Sequence, residues 1–385
     1  MSFIRKLQKT ITGLIPSPIV VDFETGGGRK VVDEAPLPKE VFWDESVPVH
    51  KNASGVEYVK TPAERFENLP DYNFKANYVE VNGLQMHYVD EGSNPDSNRE
   101  EQVILMLHGQ PTWAFLYRKM INELAPKGYR CIAPDLIGMG KSDKPIRGSY
   151  HTYDQHCENT LAFIKALDLK NITLFIQDWG SLIGMRLAGE HPELISRLIL
   201  ANGDLPNYGS DENNPLYVPN PIVINPKVKG LKMSLAKYSG KGMIHTFQAW
   251  ILWSLTNMNG FASEVIDMTT ESKLTPAIKA AYDAPFPSFI YNAGPRTLPS
   301  MAAGVTGQVN AAHEGLKSFK KPFLSLIGTK DRLLGRRSIQ RKWINTIPGA
   351  SEQNHEQFDN ANHFIQEDIG ETLADRTHQF IQKNS

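Results

Sequence analysis

The sequence predicts an α/β protein in which a mostly parallel central sheet is flanked by helices and covered by an inserted helical cap. Three observations carry this prediction. Continuous apolar runs, among them VILMLHG at 103–109, NITLFIQD at 171–178 and KPFLSLIGTKD at 321–331, alternate with longer helical stretches. Strands apolar on both faces belong to parallel sheets packed between helix layers. Each run also gives way to a loop, and in such sheets ligand chemistry gathers at the carboxyl ends of the strands. From 204 to 300 the alternation stops, and prolines and aromatics sit in loops and helices without clear strands.

Taken in order, residues 1–55 form an extension, with TGGGRK at 25–30 and PLPK at 36–39 as breakers. No helix or strand there is long and periodic enough to carry a core. YVEVNGLQMHYVDEG at 78–92 alternates apolar and polar residues around Asn82-Gly83, the signal of a β-hairpin. A buried strand at 103–109, a helix at 116–124 and a strand at 131–138 follow. Next come the strand at 171–178, a helix through Glu190, and a strand at 194–203, LISRLILANG. The strand at 321–331 resumes the pattern after the insertion. The organisation expected is an extension at 1–55, a core at 56–203 and 301–385, and a cap at 204–300.

Composition narrows the function classes. Of 385 residues, 41% are apolar and 22% charged, as in ordinary globular proteins. Lys+Arg 41 against Asp+Glu 42 leaves a net charge of −1 and no electrostatic footprint for nucleic acid. No apolar run reaches the ~18–20 residues that span a bilayer. Phe3, Ile4, Leu7, Ile11 and Leu14 fall near helical spacing in a basic segment. That allows a membrane-surface or targeting helix, but Pro16 and Pro18 break the run, and an arm docked on the body or on a neighbouring subunit is the reading adopted. Cys131 and Cys157 match no metal or redox spacing. They read as packing residues in a reducing compartment, the cytoplasm. Without HExxH or clustered Cys and His, neither metal nor cofactor is expected.

The reactive candidates all follow strands. In LFIQDWGSLIG the turn position after the strand is Asp178, where hydrolases built this way present serine in G-x-S-x-G. As an N-cap alone, Asp178 would gain about 0.3–1 kcal/mol from the helix dipole. Ser181 is a poorer nucleophile candidate, because the elbow pattern would need glycine where Trp179 stands. LHGQPTW at 107–113 offers a His-Gly turn whose backbone N–H groups suit an oxyanion. Asp331 follows the strand at 321–331, and His363 lies in a loop before the terminal helix. The chain order Asp178, Asp331, His363 is that of nucleophile, acid and histidine. GMGKSD at 138–143 has Asp135 where a phosphate loop needs glycine, and GGGRKV at 26–31 lacks the Ser or Thr after its lysine.

HGQPTWAFLYRKMI, APDLIGMGKSDKP, IQDWGSLIG, GTKDRLLG and NHFIQED together resemble the haloalkane dehalogenases of the α/β-hydrolase superfamily. TPAERFENLPDY and AAYDAPFPSFIYNAG resemble the same family, particularly its branch that holds halide between two tryptophans. The likeness covers roughly residues 60–382 and leaves 1–55 without a counterpart. It implies Asp178 as nucleophile, His363 as base, Asp331 as its orienting acid, and the N–H groups of Gln110 and Trp179 as oxyanion donors. It implies Trp179 and Trp250 as halide ligands, with Trp253 as the other option, Phe247 lining the pocket and Phe286 packing the cap. The family generally has asparagine or glutamate at the position of Gln110, which leaves open whether that side chain touches halide. The expected partners are an apolar haloalkane, water and halide. Epoxide hydrolysis is the nearest rival and would need cap tyrosines, of which Tyr208, Tyr217, Tyr238, Tyr282 and Tyr291 are available. β-Lactone decarboxylation, a silent ligand receptor and a luciferase-like oxygenase are further alternatives.

Overall fold

The structure, a computed structural model, describes residues 46–92, 102–207, 250, 254, 262–302, 305 and 307–385, and the backbone of 19–21, 31–32 and 222–224. Its strands in chain order are β1 (Ile19–Val21), β2 (Val31–Val32), β3 (His50–Lys51), β4 (Glu57–Val59), β5 (Asn77–Val81), β6 (Leu84–Glu91) and β7 (Val103–Leu107). There follow β8 (Arg130–Pro134), β9 (Lys144–Pro145), β10 (Ile172–Ile176), β11 (Ile195–Ala201), β12 (Ile222–Ile224), β13 (Phe323–Gly328) and β14 (Glu356–Phe358). The helices are α1 (Arg118–Leu124), α2 (Tyr153–Ala166), α3 (Trp179–Glu190), α4 (Ala262–Met268), α5 (Pro276–Asp283), α6 (Ala293–Met301), α7 (Asn310–Lys317), α8 (Arg337–Thr346) and α9 (Ile365–Lys383).

The central sheet has eight strands in the order β14-β13-β11-β10-β7-β8-β6-β5. From β8 to β14 all neighbours are parallel, and β6 and β5 close the far edge antiparallel. Every residue of β7 and β10 is buried, because helices cover both faces and β-branched and leucyl side chains fill them. The hairpin forms as expected: Asn82 and Gly83 have φ of 50° and 77°, the pair of positive values that a tight hairpin turn demands. The helix expected at 116–124 is a 3-10 turn at Ala114–Tyr117 running into α1.

One expectation is corrected. The insertion does contain a strand, β12, and the extension supplies two partners, giving a three-stranded antiparallel sheet in the order β12-β1-β2. Strands of two or three residues leave no periodicity to read, and β12 is found only through its pairing with β1, about 200 residues away in sequence. A third small sheet, β3-β4-β9, joins residues 50–59 to the loop after β8.

Helices are tied to the core by polar contacts as well as packing. Glu367 of α9 binds the Arg118 guanidinium of α1 through two hydrogen bonds of 2.8 and 2.7 Å, and accepts the Tyr282 hydroxyl of α5 at 2.6 Å. All three side chains are buried. The loop after α5 is held by Arg65 Nε on the Ala284 carbonyl and by Thr61 Oγ1 on that of Pro285. Among the described residues, no helix is long and apolar enough to cross a membrane.

Candidate active site

Asp178 lies between β10 and α3 with φ 49° and ψ −125°, a conformation that costs a non-glycine residue of order 1–3 kcal/mol and recurs at functional turns. The turn is possible because its neighbours lack side chains. A Cβ on Gly180 would stand 2.0 Å from the Leu107 carbonyl oxygen at the end of β7, and one on Gly109 would stand 2.2 Å from Asp178 Oδ1. The carboxylate is therefore pressed against the His-Gly loop, where the Gln110 backbone N–H donates to Oδ1 at 2.8 Å.

His363 follows β14, the edge strand. Its Nε2 lies 3.5 Å from Asp178 Oδ2 and its Nδ1 is 2.8 Å from Asp331 Oδ2. Asp331, just beyond β13, accepts the Leu333 and Leu334 backbone N–H groups on its other oxygen at 2.8 and 3.0 Å. Burial disfavours its charge, but the His363 ring and these N–H donors outweigh burial and lower its pKa. Burial likewise opposes a charged His363, yet Asp331 and Asp178 more than offset it and raise the imidazole to about 10. Three loops far apart in sequence thus bring Asp178, His363 and Asp331 into one line of contacts, hydrogen-bonded between His363 and Asp331.

Two further residues complete the frame, and the sequence reading missed both. Asn202, buried at the end of β11 with φ 40°, accepts the Asp178 N–H on its carbonyl at 3.1 Å. Its Nδ2 donates to Asp331 Oδ2 at 3.2 Å and to the Asn362 carbonyl at 2.8 Å, and its Oδ1 accepts the Gly328 N–H at 2.7 Å. One side chain and its carbonyl therefore touch all three loops. Gln177 Nε2 donates to the His363 carbonyl at 3.0 Å. A polar residue directly after an apolar strand was the available signal for Asn202.

The other candidates fall as follows. Trp179 is almost fully buried as the first residue of α3. Trp250 is partly buried against the main core, while Trp253, Phe247, Tyr208, Tyr217 and Tyr238 lie outside the described residues. Phe286 is packed in the main core, and Tyr291 is buried. Tyr282 is committed to Glu367. Ser181 Oγ donates to the Asp178 and Asp204 carbonyls at 2.5 and 3.1 Å. The Gly-Lys-Ser of GMGKSD wraps the buried Asp135, whose Oδ2 accepts the Lys141 N–H at 2.7 Å. The His-Gly loop also reaches α6, through Gln110 Nε2 on the Pro295 carbonyl at 2.8 Å.

A β-sheet of this order, with a strained turn after its central strand and histidine and acid loops beyond, defines the α/β-hydrolase class. The sequence pattern of the family described as alpha/beta hydrolase fold matches residues 102–368. Similar proteins include haloalkane dehalogenases from Mycobacterium marinum, 40% identical over 83% of this chain and 98% of theirs, and from Psychrobacter cryohalolentis, 36% identical over 86% and 99%. A solved haloalkane dehalogenase from Paraglaciecola agarilytica superposes with a TM-score of 0.68 at 28% identity, covering 84% of this chain and 98% of that one. The chain belongs to the haloalkane dehalogenase family.

Proposed function

We propose that this haloalkane dehalogenase breaks the carbon–halogen bond through an alkyl ester on Asp178. The observation that carries the reading is the placement of a carboxylate, not a hydroxyl, on the strained turn within 3.5 Å of the triad histidine. A serine attacking a saturated carbon would form an ether, which water does not cleave. A carboxylate forms an ester, whose carbonyl is open to attack. Oδ1 is held by the Gln110 N–H, so Oδ2 is the attacking oxygen. Its lone pair forms the C–O bond as the C–X bond breaks, and the halide leaves with the bonding pair. Trp179 and Trp250 supply indole N–H donors to that anion in an otherwise apolar pocket, and Trp253 is the other cap tryptophan in reach of the sequence pattern.

Alkylation also sets up the second step. It removes the negative charge of Asp178, one of the two groups that raise His363, so the imidazolium releases its proton to bulk water more readily once the ester exists. Neutral His363 then takes a proton from water, and the new hydroxide adds to the ester carbonyl. The N–H groups of Gln110 and Trp179 hold the resulting oxyanion; that of Trp179, in the first turn of α3, has no acceptor within its helix. Collapse expels the alkoxide, which His363 protonates to the alcohol, and leaves Asp178 as a carboxylic acid whose proton passes to the now neutral His363, restoring the carboxylate. Asp331 keeps the ring oriented and balances its charge throughout.

The cap belongs to this reading. Residues 204–300 close over the carboxyl edge of a core made of 56–203 and 301–385, and 1–55 is an arm added to it. The substrate is a small apolar haloalkane. A reducing, cytoplasmic setting accords with Cys131 and Cys157, both buried free thiols. The test is His363→Phe treated with a brominated alkane. The expected result is one equivalent of halide released and a stable alkyl adduct mapping to Asp178 by peptide mass. An adduct on another residue, or epoxide opening with no halide from any bromoalkane, would overturn the reading.

A further inference from the structure

We propose that the Gln110 side chain is a clip between the oxyanion loop and helix α6, and that it takes no part in holding halide. The inference rests on the reading of Asp178 as nucleophile and of the Gln110 N–H as an oxyanion donor. It begins with two prolines. In an α-helix the carbonyl of residue i accepts the N–H of residue i+4. Four residues after Pro295 stands Pro299, inside the helix, and proline has no N–H. The Pro295 carbonyl is thus left without a donor from its own helix. Water cannot substitute readily, because every residue of α6 is buried, and a buried polar group without a partner is costly. Gln110 Nε2 fills the vacancy at 2.8 Å across 185 residues of sequence.

The same residue carries the second half of the device. The Gln110 main-chain N–H donates to Asp178 Oδ1 at 2.8 Å. One residue therefore fixes the nucleophile's carbonyl oxygen through its backbone and α6 through its amide. The seating of α6 sets where the oxyanion donor points. Glutamate at this position would set a carboxylate against a carbonyl oxygen, and asparagine would fall a methylene short. One of the two Nε2 N–H groups is engaged on Pro295 and anchors the amide toward α6, so halide is left to the indoles.

A double-mutant cycle tests the clip. Gln110→Glu and the near-isosteric Gln110→Met should lower the single-turnover rates on 1,2-dibromoethane by roughly tenfold to a hundredfold, as small misplacements of reacting groups do. Bromide affinity, read by quenching of tryptophan fluorescence, should stay within about twofold of wild type, since no halide donor is lost. In a Pro299→Ala background the helix regains the missing N–H, and the same Gln110 substitutions should then cost only about threefold. Equal penalties in both backgrounds, or weakened bromide binding in Gln110→Met, would overturn the clip. If Pro299→Ala does not fold, the bromide and rate measurements on Gln110→Met decide alone. Should the His363→Phe adduct fail to map to Asp178, the function reading fails; should it map there while the cycle is additive, only the clip does.

Discussion

Asn202 ties together the three loops that carry Asp178, Asp331 and His363. Its carbonyl holds the Asp178 turn, and its amide holds the Asp331 loop and the loop before His363. Asn202→Gly accepts the φ of 40° without strain and deletes only the side chain, so it isolates these bonds. Hydrolysis of the alkyl ester should slow by roughly tenfold to a hundredfold. Because that step then limits turnover, kcat and KM should fall together, and rapid-quench mass spectrometry should find the ester on Asp178 accumulating. A simple loss of active protein would instead lower kcat with KM unchanged. The candidates Asp178, Asp331 and His363 were legible because each stands in a loop at the sheet edge, in an order that local pattern reveals. Asn202 was not, since a polar residue after a strand is what any loop offers and its partners arrive with β13 and β14. The amide of Gln110 was equally hidden, because its acceptor is created by a proline far along the chain.

Among the elements, Glu367 joins three helices that the sequence presents as unrelated. It meets Arg118 of α1 and Tyr282 of α5 from the first turn of α9. Burial disfavours its charge, but the Arg118 guanidinium outweighs burial and lowers the carboxyl pKa. Breaking a buried pair by removing one partner leaves the other charge uncompensated. Glu367→Ala should therefore cost about 3–5 kcal/mol in urea unfolding. Tyr282→Phe should cost about 1.5–3 kcal/mol, the worth of a hydrogen bond to a charged group. If Glu367→Ala unfolds at the wild-type midpoint, the pair does not hold these helices together. The long strands β7, β10, β11 and β13 were readable because their apolar runs are local. β14 was not, since its three residues are all partly or fully exposed and pair only once β13 is in place. The same holds for β12, which pairs with β1 across about 200 residues of sequence.

For the molecule as a whole, acid stability follows from histidines outside the active site. His151 and His156 are buried with their rings stacked at 5.6 Å. Burial lowers them to about 4 and about 3. Among the described residues, both ring nitrogens of His156 and the Nδ1 of His151 find no hydrogen-bond partner. The folded form therefore keeps them neutral while the unfolded chain takes up protons below pH 6.5. Their contribution is intact above that pH and is lost as pH falls from 6.5 toward 4 and then 3, by about 1.4 kcal/mol per pH unit for each ring. His156→Phe should flatten the pH dependence of the urea midpoint between pH 6 and 4 by one such increment, and an unchanged slope would refute the assignment. His363 acts with the opposite sign: raised to about 10, it stabilises fully below pH 6.5 and fades as pH rises toward 10. What the sequence determined by itself was the sheet's strand grammar, the loops that bear reactive groups and the choice of a carboxylate at the turn, because apolar runs and the residues ending them are local. Only the tertiary structure decided which hydrogen bonds those groups make, from Asn202 bridging three loops to Gln110 filling the vacancy at Pro295. A buried donor or acceptor takes its partner from whatever folding brings within 3 Å or so, and that distance is written in no single stretch of the chain.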